Sequence, residues 1–241
     1  MSELRTLLAD TTERVLTDVK ALDPKDAWPR IEEAGLSKVL VSEDEGGFGG
    51  GWEDAFVVIR ACGYHAVDAP LPEAILESSG VKETELYFAM MLAAKMAGAL
   101  QAALDLSVQY TRQRQQFGKP LASFQAIQQQ LAVFVEETAA ADMAAAAAFR
   151  AADFVSEEGG DAWFEIACAK QRANQAARNS TGIAHQVHGA MGFTAEYGLH
   201  HLTRRLWKWS SERGNERYWA DRIGARVAER GAANFWPDLT A

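Results

Sequence analysis

The chain has 241 residues, enough for one large domain or two small ones with a real core. It is 48% hydrophobic and 24% charged, a globular composition rather than a disordered one. A formal net charge of −9 argues against nucleic acid as the main partner, because phosphate binding needs a basic face. Residues 3 to 20 read as a helix with Leu4, Leu7, Leu8, Val15 and Val19 roughly on one side. The opening residues lack a signal-peptide pattern, which makes the cytoplasm the expected compartment. Asp23-Pro24 and Trp28-Pro29 punctuate the chain, a short helix around Ile31 to Ala34 ends at Gly35, and Lys38 to Val41 reads as a brief extended piece.

The run Glu43-Asp44-Glu45-Gly46-Gly47-Phe48-Gly49-Gly50-Gly51 invites a nucleotide-binding reading, and its spacing refuses it. Lys and Ser/Thr would have to follow the last Gly of a P-loop, and Trp52-Glu53 stand there; no register gives Gly-x-Gly-x-x-Gly. The acidic run before it would repel phosphate. It reads as a permissive turn into the next helix, Trp52 to His65. Ala69-Pro70-Leu71-Pro72 breaks that helix and a short one follows over Leu71 to Leu76.

Four further helical segments are predicted, making a four-helix bundle with extras. The first covers Glu83 to Gln113. Its most apolar part, Phe88 to Leu106, is interrupted by Lys95, Gln101 and Asp105 and so reads as a core helix rather than a membrane span. The second covers Phe124 to Val155, with Ser123 as its expected N-cap and Ala runs suited to close helix contact. Ala162 to His188 follows, with Asp161 as N-cap, then two helices within Glu196 to Arg230 split at Arg213-Gly214-Asn215. Cys62 and Cys168 lie far apart in apolar helical patterns and read as buried free thiols rather than a disulfide or a catalytic thiol. His185, His188, His200 and His201 lack nearby Cys or zinc-like spacing, so no metal site is expected. Packed Trp with flanking solvated Arg is the plainer reading of Arg204 to Trp209.

The most informative stretch is Tyr110 to Pro120, where Gly118 and Pro120 are expected to stop the first bundle helix. Arg114, Phe117, Gly118 and Gln125 match, in identity and spacing, the Arg-x-x-Phe-Gly turn and following Gln of the flavin-dependent acyl-CoA dehydrogenases. Gln186 to Phe193 is similar to that family's Gln-x-x-Gly-Gly-x-Gly-Phe, with Ala190 in place of the second Gly. Glu32 to Gly51 and Leu71 to Leu76 also resemble its N-terminal helical domain. The resemblance implies an all-α chain: an N-terminal helical domain over residues 1–80 and a C-terminal four-helix bundle over residues 81–241. The family's β-rich middle domain is absent, since almost nothing lies between Leu76 and Glu83.

By the same resemblance, Arg114 would pair with the pyrophosphate of an FAD seated mainly in a neighbouring subunit. Phe117 would pack beside the adenosine part, Gln125 and Gln186 would hydrogen-bond, and Gly189 and Ala190 would let backbone approach. The base that removes the substrate's α proton is less direct. One family position, twenty residues after Phe193, is Arg213, with Glu212 beside it as the candidate; the other, 26 residues before Arg114, is Phe88, one turn from Glu85. The implied protein is a subunit of a heteromeric (α2β2) acyl-CoA dehydrogenase acting on a bulky or steroid-derived thioester. Its partner would be a full-length acyl-CoA dehydrogenase subunit. The competing reading is a helical scaffold subunit that binds no flavin.

Overall fold

In a computed structural model the described residues are 3–194 and 196–234. Among them the architecture is α-helical, with one two-stranded hairpin. The organising element is α5 (Thr84–Gln113), whose long run of Ala, Leu and Met is buried almost from end to end. It is apolar all round because other helices cover it all round. Around it pack α3 (Trp52–Tyr64), α6 (Gln125–Glu158), α7 (Trp163–His188) and α8 (Leu199–Ser211), while α9 (Glu216–Arg230) lies against α7. Among the described residues α5 alone is long and apolar enough to cross a membrane, but 83% of its most apolar window is buried within the fold.

The N-terminal segment supplies α1 (Glu3–Val19), α2 (Pro24–Glu33) and α4 (Leu71–Ser79) as well as α3. Helix α1 buries Leu8, Thr12, Leu16 and Val19, a stripe at helical spacing. The α3–α5 crossing is unusually close. A Cβ on Gly63 would collide with the carbonyl oxygen of Lys95, and one on Gly98 with that of Arg60, so the two backbones touch where both helices carry glycine. One hydrophobic core runs through both segments. Between Ser79 and Thr84 only four residues intervene.

Helix α3 is capped from a distance. The Asp153 carboxylate of α6 accepts from the backbone N–H groups of Trp52 (2.6 Å) and Glu53 (2.8 Å), and Asp54 accepts from Gly51 N–H (3.0 Å). A Cβ on Gly51 would lie 2.7 Å from Asp153 Oδ1, which fixes glycine at the end of that cluster. The glycine run is therefore an entry turn whose anion site the protein fills with its own carboxylate.

Several local expectations are corrected. Lys38 to Val41 is not extended: Leu36–Lys38 winds into a 3-10 turn after Gly35 takes a left-handed conformation at φ 74. Helix α2 starts earlier than expected because Pro24 occupies its first turn, where a missing N–H costs nothing. Ser123 does not cap α6. It ends a 3-10 turn, Leu121–Ser123, and Phe124 takes the cap position without a side-chain bond. Ala162 holds the cap position of α7, yet Asp161 Oδ1 still accepts from Trp163 N–H at 3.0 Å. Cys62 is buried and Cys168 half-buried; both are free thiols, and burial pushes their pKa values up.

Candidate functional site

Helix α5 ends at Gln113, where the sequence places its end, and the chain enters an antiparallel hairpin that contains Gly118 and Pro120. Gln115 pairs with Pro120 and Gln116 with Lys119, leaving Phe117-Gly118 as a two-residue loop at φ 52 and φ 77. Two consecutive positive φ values define the mirror-image turn that suits strand twist, a turn that favours Asn-Gly. Phe is a poor choice for it, and the ring is 92% exposed. Its edge meets Phe124 at 6.2 Å between centroids, and Lys119 Nζ sits 4.4 Å from the Phe124 centroid. The hairpin base is pinned by Leu121 N–H donating to Arg114 O at 2.8 Å. The Arg114 side chain is exposed and, among the described residues, makes no hydrogen bond or ion pair. Gln125, the first residue of α6, is exposed in the same way.

The second motif closes α7. Gln186 is exposed on its last turn, Gly189 takes φ 57, and a 3-10 turn carries Ala190 out to Phe193. Nothing lies within 4 Å of where a Gly189 Cβ would be, so the backbone is open to an approaching group. His188 ties this turn to the last turns of α5. Its Nδ1–H donates to Ala184 O (2.7 Å), its Nε2 accepts from Tyr197 O–H (3.1 Å), and its ring stacks on Tyr110 at 4.6 Å. The Ala184 carbonyl fixes a proton on Nδ1, and burial pushes the imidazole pKa down, which favours the neutral form. Tyr110 stands one turn before Arg114, and His188 stands between Gln186 and Gly189. The two motifs therefore share one end of the bundle, with the predicted side chains facing solvent. His185 stacks on Phe193 at 4.4 Å and meets Thr203 Oγ1 at 3.0 Å.

The predicted base region lies on the turn between α8 and α9. Arg213, at φ 54, grips Glu85 with Nη1 at 2.8 and 2.6 Å and lays its guanidinium 4.8 Å from the Phe88 ring centroid. The two family base positions, 213 and 88, thus meet in space, and neither is a carboxylate. Glu212 turns the other way. It is half-buried and lines a pocket of about 320 Å3 with Phe88 and Trp209, whereas Arg213 lines a separate open cleft of about 570 Å3.

Sequence reasoning missed what holds this turn. Fully buried Lys170 donates to Asn174 Oδ1 (2.7 Å), Trp209 O (3.0 Å) and Gly214 O (3.2 Å). Asn174 Nδ2 donates to Gly214 O as well, and Trp219 Nε1 to Arg213 O. Burial pulls the Lys170 pKa down to about 7, against a smaller upward pull from Glu212. The legible signal was a Lys and an Asn four residues apart on the inward face of α7, among Ile166, Ala167, Ala173 and Ala177. Among the described residues no group of three or more His, Cys, Asp or Glu could hold a metal ion.

An α-helical bundle of this kind, with these two turns at one end, defines the class of protein. Residues 83–227 match the family model described as acyl-CoA dehydrogenase, C-terminal domain. The chain belongs to the acyl-CoA dehydrogenase family, in a form without the middle β domain. It is 38% identical over 113 residues to a probable acyl-CoA dehydrogenase, YngJ, of Bacillus subtilis, covering 47% of this chain and 29% of that protein. It is 35% identical over 154 residues to the acyl-CoA dehydrogenase FadE34 of Mycobacterium tuberculosis, covering 64% and 21%. The matched stretch thus spans less than a third of either relative.

Two solved structures share the fold. One is a variant of the Tcur3481-Tcur3483 steroid ACAD, at TM-score 0.83 and 18% identity over 94% of this chain and 98% of that one. The other is the ChsE4-ChsE5 complex from Mycobacterium tuberculosis, at TM-score 0.83 and 16% identity over 96% and 99%.

Proposed function

We propose that this chain is one subunit of a heteromeric, FAD-dependent acyl-CoA dehydrogenase. It lends its bundle end to a flavin seated mainly in a full-length partner subunit of an α2β2 assembly in the cytoplasm. The reaction is α,β-dehydrogenation of a CoA thioester, with a bulky or steroid-derived acyl group as the substrate class. One observation carries this reading: four residues join α4 to α5, yet both motif turns stand ready at the end of the bundle. The names of the two fold neighbours, one a steroid dehydrogenase and one a two-component complex, support the same choice.

The residues suit the tail of a dinucleotide. Arg114 offers an exposed guanidinium fork without a carboxylate partner among the described residues, the donor set that matches a pyrophosphate. Phe117 offers an uncovered ring beside which an adenosine can pack. Gln125 and Gln186 offer exposed amides, and the Gly189-Ala190 backbone is open. Bound flavin supplies the hydride acceptor. This chain's part is to bind and orient. Glu212 is its own candidate to take the α proton, and the partner's carboxylate is the other source.

The test is co-expression with a full-length acyl-CoA dehydrogenase encoded beside it. The purified complex is expected to be yellow and to dehydrogenate thioesters, and Arg114→Ala in this chain is expected to cost flavin while leaving the complex assembled. Equal flavin content and activity with and without this chain would refute the proposal. Glu212→Gln separates the two sources of base: activity lost assigns the proton to this chain, activity kept assigns it to the partner. The second reading, a scaffold without flavin, is favoured by the Arg213–Phe88 contact at the base positions. A colourless but stable complex would choose it.

A further inference from the structure

The pocket beside Glu212 is lined by charged side chains together with a few apolar ones. Phe88, Leu92 and Trp209, all buried, contribute its apolar lining. One charged side chain stands among them: Lys95, only 7% exposed. Among the described residues its ammonium has no hydrogen bond or ion pair; its recorded contact is the Trp209 ring, 4.9 Å from centroid to Nζ. Lys170 shows how this fold treats a lysine that belongs wholly to the structure, with three oxygen acceptors around it. Lys95 has donors to spare, in the lining of a cavity. A ligand that brings an acceptor into the cavity can take up these donors in place of water.

The class of acceptor follows from the other charges. A plain alkyl chain would strip water from the ammonium and return nothing. A free carboxylate would meet Asp68, Glu73 and Glu212, which line the same pocket and outnumber its two ammoniums, Lys95 and Lys208. A ketone or hydroxyl oxygen accepts from Lys95 without adding charge. The volume of about 320 Å3 accommodates about ten water-sized groups, at roughly 30 Å3 each.

We infer that this pocket receives the far end of a neutral, oxygenated acyl group, with Lys95 as the specificity-determining donor. The inference rests on the proposed dehydrogenase reading and names the substrate class of that site. A group held there lies beside the Glu212 carboxylate, which lines the same wall.

The experiment is calorimetric titration of the full chain with three thioesters of matched length: 5-oxohexanoyl-CoA, its shape analogue 5-methylhexanoyl-CoA, and adipoyl-CoA. The keto thioester is expected to bind at least about tenfold more tightly than either of the others, as a hydrogen bond to a charged group implies. Lys95→Met is expected to remove its advantage over the methyl analogue. Equal binding of the keto and methyl thioesters, tightest binding of adipoyl-CoA, a preference surviving in Lys95→Met, or no binding of any thioester would each overturn the inference. Should Lys95→Met fail to fold, the three-way comparison on the unsubstituted chain still decides. Flavin absorbance of the complex with its partner is read separately. A yellow complex without the keto preference sinks this inference alone, and a colourless one sinks the dehydrogenase reading.

Discussion

Phe117→Asn is expected to make the isolated chain more stable and the assembled protein worse. Phe117 occupies the left-handed region at φ 52, first in a mirror-image hairpin turn. A bulky residue there costs on the order of 1–3 kcal/mol, and Asn tolerates the conformation far better. Little packing is lost, because the ring is 92% exposed and its one aromatic contact is the Phe124 edge at 6.2 Å, a pair worth about 0.5–1.5 kcal/mol at most. The net expected gain is about 1 kcal/mol, or roughly 2–4 °C in Tm for a chain of this size. Thermal unfolding followed by circular dichroism measures it. In the complex with a full-length partner, the same substitution is expected to lower flavin retention on gel filtration. A destabilised Phe117→Asn chain would show that the ring is held for the fold. Unchanged flavin retention would remove Phe117 from the cofactor surface.

Three further outcomes follow from the packing. Asp153→Ala removes the carboxylate that caps α3 and is expected to cost about 1–2 kcal/mol, read as a lower urea midpoint with unchanged slope. Gly63→Ala and Gly98→Ala force apart two touching backbones and are each expected to cost about 1–3 kcal/mol, with Gly182→Ala, where a Cβ meets nothing, as the mild control. Lys170 gives a pH signature. Its folded pKa of about 7 lies below the ordinary 10.5, so between those values the unfolded chain binds more protons and stability rises with pH. The slope in that window approaches about 1.4 kcal/mol per pH unit from this one group, and Lys170→Met is expected to flatten it. An unaltered profile in Lys170→Met would assign the slope elsewhere.

The helices were legible because their apolar residues recur at helical spacing, as in the long apolar run of α5. In α1, Leu8 and Val19 of the expected stripe are buried, although Leu7 is 57% exposed and Thr12 and Leu16 complete the buried face. What sequence spacing could not supply was set by partners distant in the chain. The cap of α3 comes from Asp153, a hundred residues onward, so the acidic-glycine run was legible as a permissive turn but its capping carboxylate was not. Ser123 is a good cap by type, but Phe124 N–H donates to Leu121 O and closes a 3-10 turn over it. The hairpin at Phe117-Gly118 was hidden because Phe is not a residue that this turn favours. At the candidate site the exposed motif residues were visible by type, since Arg, Phe and Gln there answer to a ligand rather than to the fold. The Lys170 clamp and the lone Lys95 were not, because whether a buried lysine is satisfied depends on carbonyls brought in by tertiary structure.

The glycine crossing of α3 over α5 and the Asp153 cap both tie the first third of the chain to the rest. A cut in the short link before Thr84 would therefore leave two fragments clasped together, and denaturant would meet a single barrier rather than two. Removal of the leading fragment would strip α5 of one whole flank and leave a sticky, aggregating remainder.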